Sequence, residues 1–123
     1  MLTIRAEQLD AFREPLTKAF VGRMVRHLSR SFPRQLAEQK IKKADLEPLV
    51  RQGMKRAEQY GVVYQGDVQR FLECMVILGP RFDEDTIYPW AGQTLRRTDL
   101  DGEEKMDEIS DHIIFEVPHL AEQ

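Results

Sequence analysis

The chain has 123 residues, of which 41% are hydrophobic and 32% are charged. This length fits a single domain, since domains most often contain roughly 100–150 residues. Apolar residues recur along nearly the whole sequence, which excludes a disordered chain. No apolar run approaches the roughly 20 residues that span a bilayer, which excludes a membrane span. We therefore expect one domain over residues 1–123, with residues 117–123 as a candidate flexible tail.

The first third of the sequence predicts a long amphipathic helix. Residues 6–31 carry apolar side chains at every third or fourth position, which is the helical period. Pro15 interrupts this run and predicts a kink, or a short helix followed by a new one that begins near Glu14. Pro33 is expected to end the helix, because proline disfavours helical backbone in the residue before it. Residues 34–39 then predict one further helical turn.

A second long helix is predicted over residues 46–60, after a connector at residues 40–43. Its apolar residues again follow helical spacing. Pro48 lies near its start, where proline is tolerated in the first turn. Gly61 follows its end, where glycine is a common cap. Residues 62–64 are β-branched or aromatic and predict a short extended link.

Residues 67–78 form the most apolar stretch and predict the central, most buried helix. Gly79-Pro80 ends it, and a loop leads to a short helix predicted over residues 89–97 with proline in its first turn. Asp99 or Asp101 then caps a last helix. The apolar stripe of that helix consists of Met106, Ile109, Ile113 and Val117. The sequence thus predicts an all-α fold, a single compact bundle of five or six helices.

Charge is distributed unevenly along the chain. Residues 23–56 contain ten Lys and Arg against three Asp and Glu, a net charge of +7, whereas residues 81–123 contain four against twelve, a net charge of −8. In one interpretation the two segments attract each other within the fold or face solvent. In the other they form a basic and an acidic pole that steer a partner of complementary charge. Nucleic acid is not the expected partner, since the basic segment has no recognised motif and the pI is about 5.6.

No set of residues indicates a catalytic, cofactor or metal site. Cys74 is the single cysteine, and its apolar neighbours predict a buried, unreactive thiol. His27 and His112 lack the spacing of a metal motif and are expected at the edges of helical faces. The serines have no nucleophile elbow, and the glycines form no phosphate loop. We expect no enzymatic activity, cofactor or small-molecule substrate; a small enzyme with an unrecognised site is a further alternative.

The loop after the central helix is the candidate partner-binding site. It leaves that helix abruptly at Gly79-Pro80 and combines carboxylates with large apolar side chains, as in an interface with an apolar centre and a polar rim. Tyr and Trp are also enriched at binding hot spots. In the competing interpretation, the acidic cluster is merely solvated and the aromatic rings fasten the loop to the bundle. The candidate residues are Asp83, Glu84, Asp85, Ile87, Tyr88 and Trp90.

Several segments carry a resemblance to known proteins. They are MLTIRAEQ (1–8), RMVRHL (23–28) with FP (32–33), LVRQGMKRAEQYG (49–61), DVQRF (67–71), LGPRFD (78–83) and PWA (89–91). Together they resemble a bacterial family of small helical proteins encoded beside type VI secretion spike proteins and their effectors. The resemblance covers roughly residues 1–110. Pro15 and the tail after residue 115 depart from it.

The resemblance implies a cytoplasmic accessory protein without catalytic residues. Such a co-chaperone or adaptor binds a larger adaptor-chaperone or the secreted effector and assists loading onto the spike. A single cysteine fits a reducing cytosol, and the first residues have no apolar signal-peptide core. The alternative function is an immunity protein that neutralises a co-encoded toxin, which would also be small, cytoplasmic and charge-polarised.

Overall fold

The computed structural model describes residues 13–117, apart from the side chain of Arg13. Within that range the chain forms six helices and no strand, so the predicted all-α fold is confirmed. The helices are α1 (Arg13–Ser31), α2 (Pro33–Glu38), α3 (Lys43–Gln59), α4 (Gln65–Ile77), α5 (Pro89–Leu95) and α6 (Gly102–Glu116). The predicted helical residues 6–12 and the tail beyond residue 117 lie outside the described range.

Pro15 lies near the start of the described part of α1, and Pro33 follows the end of that helix. The predicted kink, or short helix before a new one near Glu14, involves residues 6–12, which lie outside the described range. Pro33 is the first residue of α2, and α1 ends at Ser31 as predicted.

The start of α3 differs from the prediction. The helix begins at Lys43, because the carboxylate of Asp45 accepts a hydrogen bond from the Lys42 amide at 3.1 Å and holds the first turn. The predicted connector at residues 40–43 is correspondingly shorter. Pro48 consequently lies one turn inside α3, rather than in its first turn.

Helix α4 forms the centre of the bundle, as the sequence predicted. It contacts α1, α2, α3 and α6. Phe71, Leu72 and Val76 have no exposed surface, and Val68, Cys74 and Met75 are also buried. On α3, Gly53 allows this close packing, because a Cβ atom there would lie 2.5 Å from Leu72 Cδ2 and from Met75 Sδ. The chain leaves α4 through Gly79, whose φ of 129° favours glycine.

The last two helices pack against each other. α5 ends at Leu95, two residues before the predicted end. Asp101 is the residue that caps α6: its side chain accepts from the Glu104 amide at 2.8 Å, and the Glu104 side chain accepts from the Asp101 amide at 2.9 Å. The predicted apolar stripe faces the core, with Met106, Ile109 and Ile113 buried and Val117 partly buried.

Candidate functional site

Asp83, the first of the six candidate contact residues, lies in the core. Its side chain is 1% exposed. The carboxylate forms an ion pair with Arg56 and accepts a hydrogen bond from the Tyr60 hydroxyl at 2.7 Å. Arg56 also donates to the Pro80 carbonyl at 2.6 Å. Asp83 therefore fastens the loop to α3, and we correct its predicted role from partner contact to structural anchor.

The backbone at Asp83 also determines how closely α5 approaches. A Cβ atom on Gly92 would lie 2.5 Å from the Asp83 carbonyl oxygen, so only glycine fits there. The position of α5, and with it the position of Trp90, thus depends on the buried loop. The sequence signal for the buried Asp83 was the pair Arg56 and Tyr60, which stand four residues apart at the C-terminal end of α3.

Glu84, Asp85 and Ile87 lie at or near the surface. Glu84 is exposed and pairs with Arg81 at 2.5 Å. The Asp85 carboxylate accepts from the Ile87 amide at 2.9 Å, which shapes the turn. Both carboxylates therefore have partners within the loop, while the side chain of Ile87 is 70% exposed.

Tyr88 and Trp90 join the loop to α6. Both are half-buried and pack against the edge of the core. Their ring centroids are 5.8 Å apart. The Trp90 ring stacks on the His112 ring, with centroids 4.7 Å apart and planes 11° apart. The rings thus fasten the loop, as one interpretation held, and their remaining surface lies beside α6.

The C-terminal half of α6 extends this surface, which the sequence analysis missed. Phe115 is 79% exposed. With His112 it lines a shallow depression of about 290 Å³, together with three carboxylates. We call Tyr88, Trp90, His112 and Phe115 the aromatic face. The three carboxylates, which we call the acidic rim, belong to Glu108, Asp111 and Glu116.

A larger open depression, of about 600 Å³, lies between α3 and the chain that links α5 to α6. Two of its three charged side chains have partners. Lys105 donates to the Tyr60 carbonyl at 2.7 Å, and Arg97 pairs with Asp99 at 2.6 Å, which lowers the pKa of Asp99. The lining contains no cysteine, histidine or carboxylate that could act as a general base.

One group of side chains places a carboxylate, a histidine and a serine in succession, as in a catalytic triad. His27 Nε2 lies 2.6 Å from a Glu73 oxygen, and His27 Nδ1 lies 3.4 Å from the Ser31 hydroxyl. Ser31 is the last residue of α1, however, and a helix C-terminus carries partial negative charge that would destabilise an oxyanion. Neither depression includes these residues. We interpret the group as a polar contact between α1 and α4.

Residues 13–117 contain neither a three-ligand metal site nor a membrane-spanning helix. In this range no group of three or more His, Cys, Asp or Glu side chains is arranged to hold a metal ion. None of the helices described is both long enough and apolar enough to cross a membrane. Cys74 is buried, and burial raises the pKa of its thiol to about 12, so thiolate chemistry is disfavoured.

Comparison with protein-family models, with curated proteins and with solved structures gave no match to this chain. The functional inference therefore starts from two observations. One is the exposed aromatic face with its acidic rim. The other is the sequence resemblance described above, which covers roughly residues 1–110.

Proposed function

We propose that the chain is a non-enzymatic, cytoplasmic accessory protein that binds another protein. The observation that carries this proposal is the exposure of Phe115, 79%, beside the half-buried ring of His112, which stacks on Trp90. An exposed aromatic side chain next to a rigid, partly buried ring pair is typical of a binding hot spot.

Support for a binding role also comes from the polar groups of the fold. The Arg56 guanidinium pairs with the Asp83 carboxylate and donates to the Pro80 carbonyl, and Lys105 donates to the Tyr60 carbonyl. These groups link helices and loops to one another and do not converge on an open cleft. A catalytic site needs a nucleophile or base directed toward a space that a substrate can enter. The larger depression contains no such group, and in the smaller one the His112 ring is stacked on Trp90 and contacts Glu116.

The biological setting comes from the resemblance to small helical proteins of type VI secretion. On that basis we propose a co-chaperone or adaptor that assists loading of an effector onto the spike. Its partner is a larger adaptor-chaperone or the secreted effector itself. The aromatic face is the surface on which we place this contact.

Co-purification tests the proposed function. The tagged chain is co-expressed with the adaptor-chaperone and the effector encoded beside it, and captured proteins are identified by mass spectrometry. We expect one of the two to co-purify, and Phe115→Ala to reduce its recovery. The matched control is Ile114→Ala, which removes a neighbouring side chain that is 53% exposed but does not line the depression.

Two outcomes would contradict this assignment. If neither protein co-purifies with the folded chain, the secretion role fails. If the chain instead captures a co-encoded toxin domain and rescues growth of cells that express it, the immunity function replaces the proposed one.

A further inference from the structure

The aromatic face is a continuous surface built on two elements. Tyr88 contacts Trp90, Trp90 stacks on His112, and His112 shares the shallow depression with Phe115. The first three side chains are partly buried, so their positions are fixed by the bundle. Phe115 is the one that projects, and a partner that covers it would bury a large apolar surface.

Negative charge surrounds this apolar surface. Helix α6 contains six Asp and Glu side chains and one Lys, and that Lys105 is 7% exposed and bonds inward to Tyr60. Arg97 pairs with Glu108, and Glu116 contacts the His112 ring. Asp111 is exposed and has no partner among the described residues, and the last turn of α6 contains no Lys or Arg. The C-terminal end of a helix also carries partial negative charge.

The charge of the rim restricts what can cover the face. In a two-fold contact with a second copy, the same patch meets itself, so the acidic rims of both copies would repel each other. An anionic lipid surface would be repelled for the same reason. A segment that carries positive charge on either side of an apolar side chain matches both features of the face.

We infer that the aromatic face binds a basic amphipathic segment of a partner protein, in which Lys or Arg side chains flank a large apolar residue. The apolar residue packs on Phe115 and Trp90, and the flanking cations lie against the acidic rim. This inference rests on the proposed function, since it names the chemistry of the partner at that site.

A pair of synthetic peptides provides the probe. One is an amphipathic helix of about 18 residues made of leucine and lysine, and the other carries glutamate in place of lysine. Trp90 is the only tryptophan, so intrinsic fluorescence reports directly on the face. We expect a saturable change in Trp90 emission with the lysine peptide and none with the glutamate peptide.

Two matched pairs of variants locate the binding site. Phe115→Ala removes the apolar anchor, and its control is Ile114→Ala on the same helix. Asp111→Lys reverses a charge of the rim, and Glu47→Lys on α3, where Glu47 is 63% exposed, makes the same change of net charge elsewhere. We expect the first variant of each pair to weaken binding at least about fivefold and the control to change it less than about twofold.

Several results would overturn the inference. The first is equal affinity of the chain for the lysine and glutamate peptides. The second is an unchanged affinity of Phe115→Ala and Asp111→Lys for the lysine peptide. The third is a loss of affinity in the control variants as large as in these two. A change in Trp90 emission with protein concentration alone would show that a second copy covers the face. If the lysine peptide does not bind while the adaptor-chaperone co-purifies, the inference fails and the proposed function stands. If the lysine peptide binds as expected while neither the adaptor-chaperone nor the effector co-purifies, the proposed function alone is rejected.

Discussion

The acidic cluster Asp83, Glu84 and Asp85 shows how neighbours in sequence acquire different roles. Asp83 is buried against Arg56 of α3 and against Tyr60, which follows α3, whereas Glu84 is exposed and Asp85 bonds within the loop. The groups that bury Asp83 precede it by 27 and 23 residues. Local composition therefore predicted three similar carboxylates, because it contains no information about that distant contact.

Replacement of Asp83 should destabilise the fold strongly. Asp83→Ala would leave the Arg56 guanidinium, whose side chain is 21% exposed, without its carboxylate partner. Loss of one member of a buried pair typically costs about 3–5 kcal/mol. Urea denaturation measures the change, and Glu84→Ala is the control, expected to cost less than about 0.5 kcal/mol. Equal stabilities of the two variants would contradict the buried pair.

The thiol of Cys74 should be unreactive in the folded protein. Burial raises its pKa to about 12, so at pH 8 only about one thiol in ten thousand is the reactive thiolate. A chromogenic disulfide reagent should label the protein negligibly under native conditions and completely in denaturant. Rapid stoichiometric labelling of the native protein would place Cys74 outside the core.

At the scale of the helices, apolar spacing and breakers predicted most of the fold. The periodicity of residues 67–78 identified α4, and Gly79-Pro80 marked its end. The sequence predicted the boundaries less well where no breaker exists. α5 ends at Leu95 with neither glycine nor proline to mark it, and α3 begins early because the Asp45 side chain captures an amide.

The sequence predicted a candidate site on the loop, and it did not predict the part of the proposed site on α6. The spacing of apolar residues identified the core-facing stripe of α6, but Phe115 lies outside that stripe. A single exposed apolar residue does not produce a periodic pattern that the sequence would show. The sequence also does not show that His112 stacks on Trp90, since the two residues are 22 positions apart and on different helices. Only packing of α5 against α6 brings them together.

The same substitution at two phenylalanines tests the placement of α4 and α6. Phe71 has no exposed surface and Phe115 is 79% exposed. Phe71→Ala should cost about 3–5 kcal/mol, because it removes a buried ring and leaves a cavity. Phe115→Ala should cost less than about 0.5 kcal/mol. Both are measured by chemical denaturation; a loss below about 1 kcal/mol for Phe71→Ala would place α4 at the surface.

For the molecule as a whole, the charge split is only partly neutralised by internal contacts. Arg56 and Asp83 join the basic segment to the acidic one. The ion pairs of Asp107 and Glu108 on α6 instead involve Arg70 and Arg97, which lie outside the basic segment. Glu116 contacts His112, so Asp111 is the carboxylate of the acidic rim that has no partner among the described residues and stays available for a contact.

Association with the partner should consequently depend on salt. The Debye length falls from about 10 Å at 0.1 M salt to about 3 Å at 1 M, so charge steering is lost at high salt. We expect the association rate constant, measured by stopped-flow fluorescence of Trp90, to fall severalfold over this range. The dissociation rate should change less. Equal association rates at both salt concentrations would show that the poles do not guide binding.

Hydrogen exchange of the complex tests the central claim most directly. The claim is that the chain binds its partner through the aromatic face rather than through residues 23–34 of the basic segment. In the complex with the adaptor-chaperone or effector, amides of residues 84–90 and 108–116 should exchange more slowly than in the free chain, while those of residues 23–34 keep their free rates. Protection confined to residues 23–34, with no change in α6, would contradict the account.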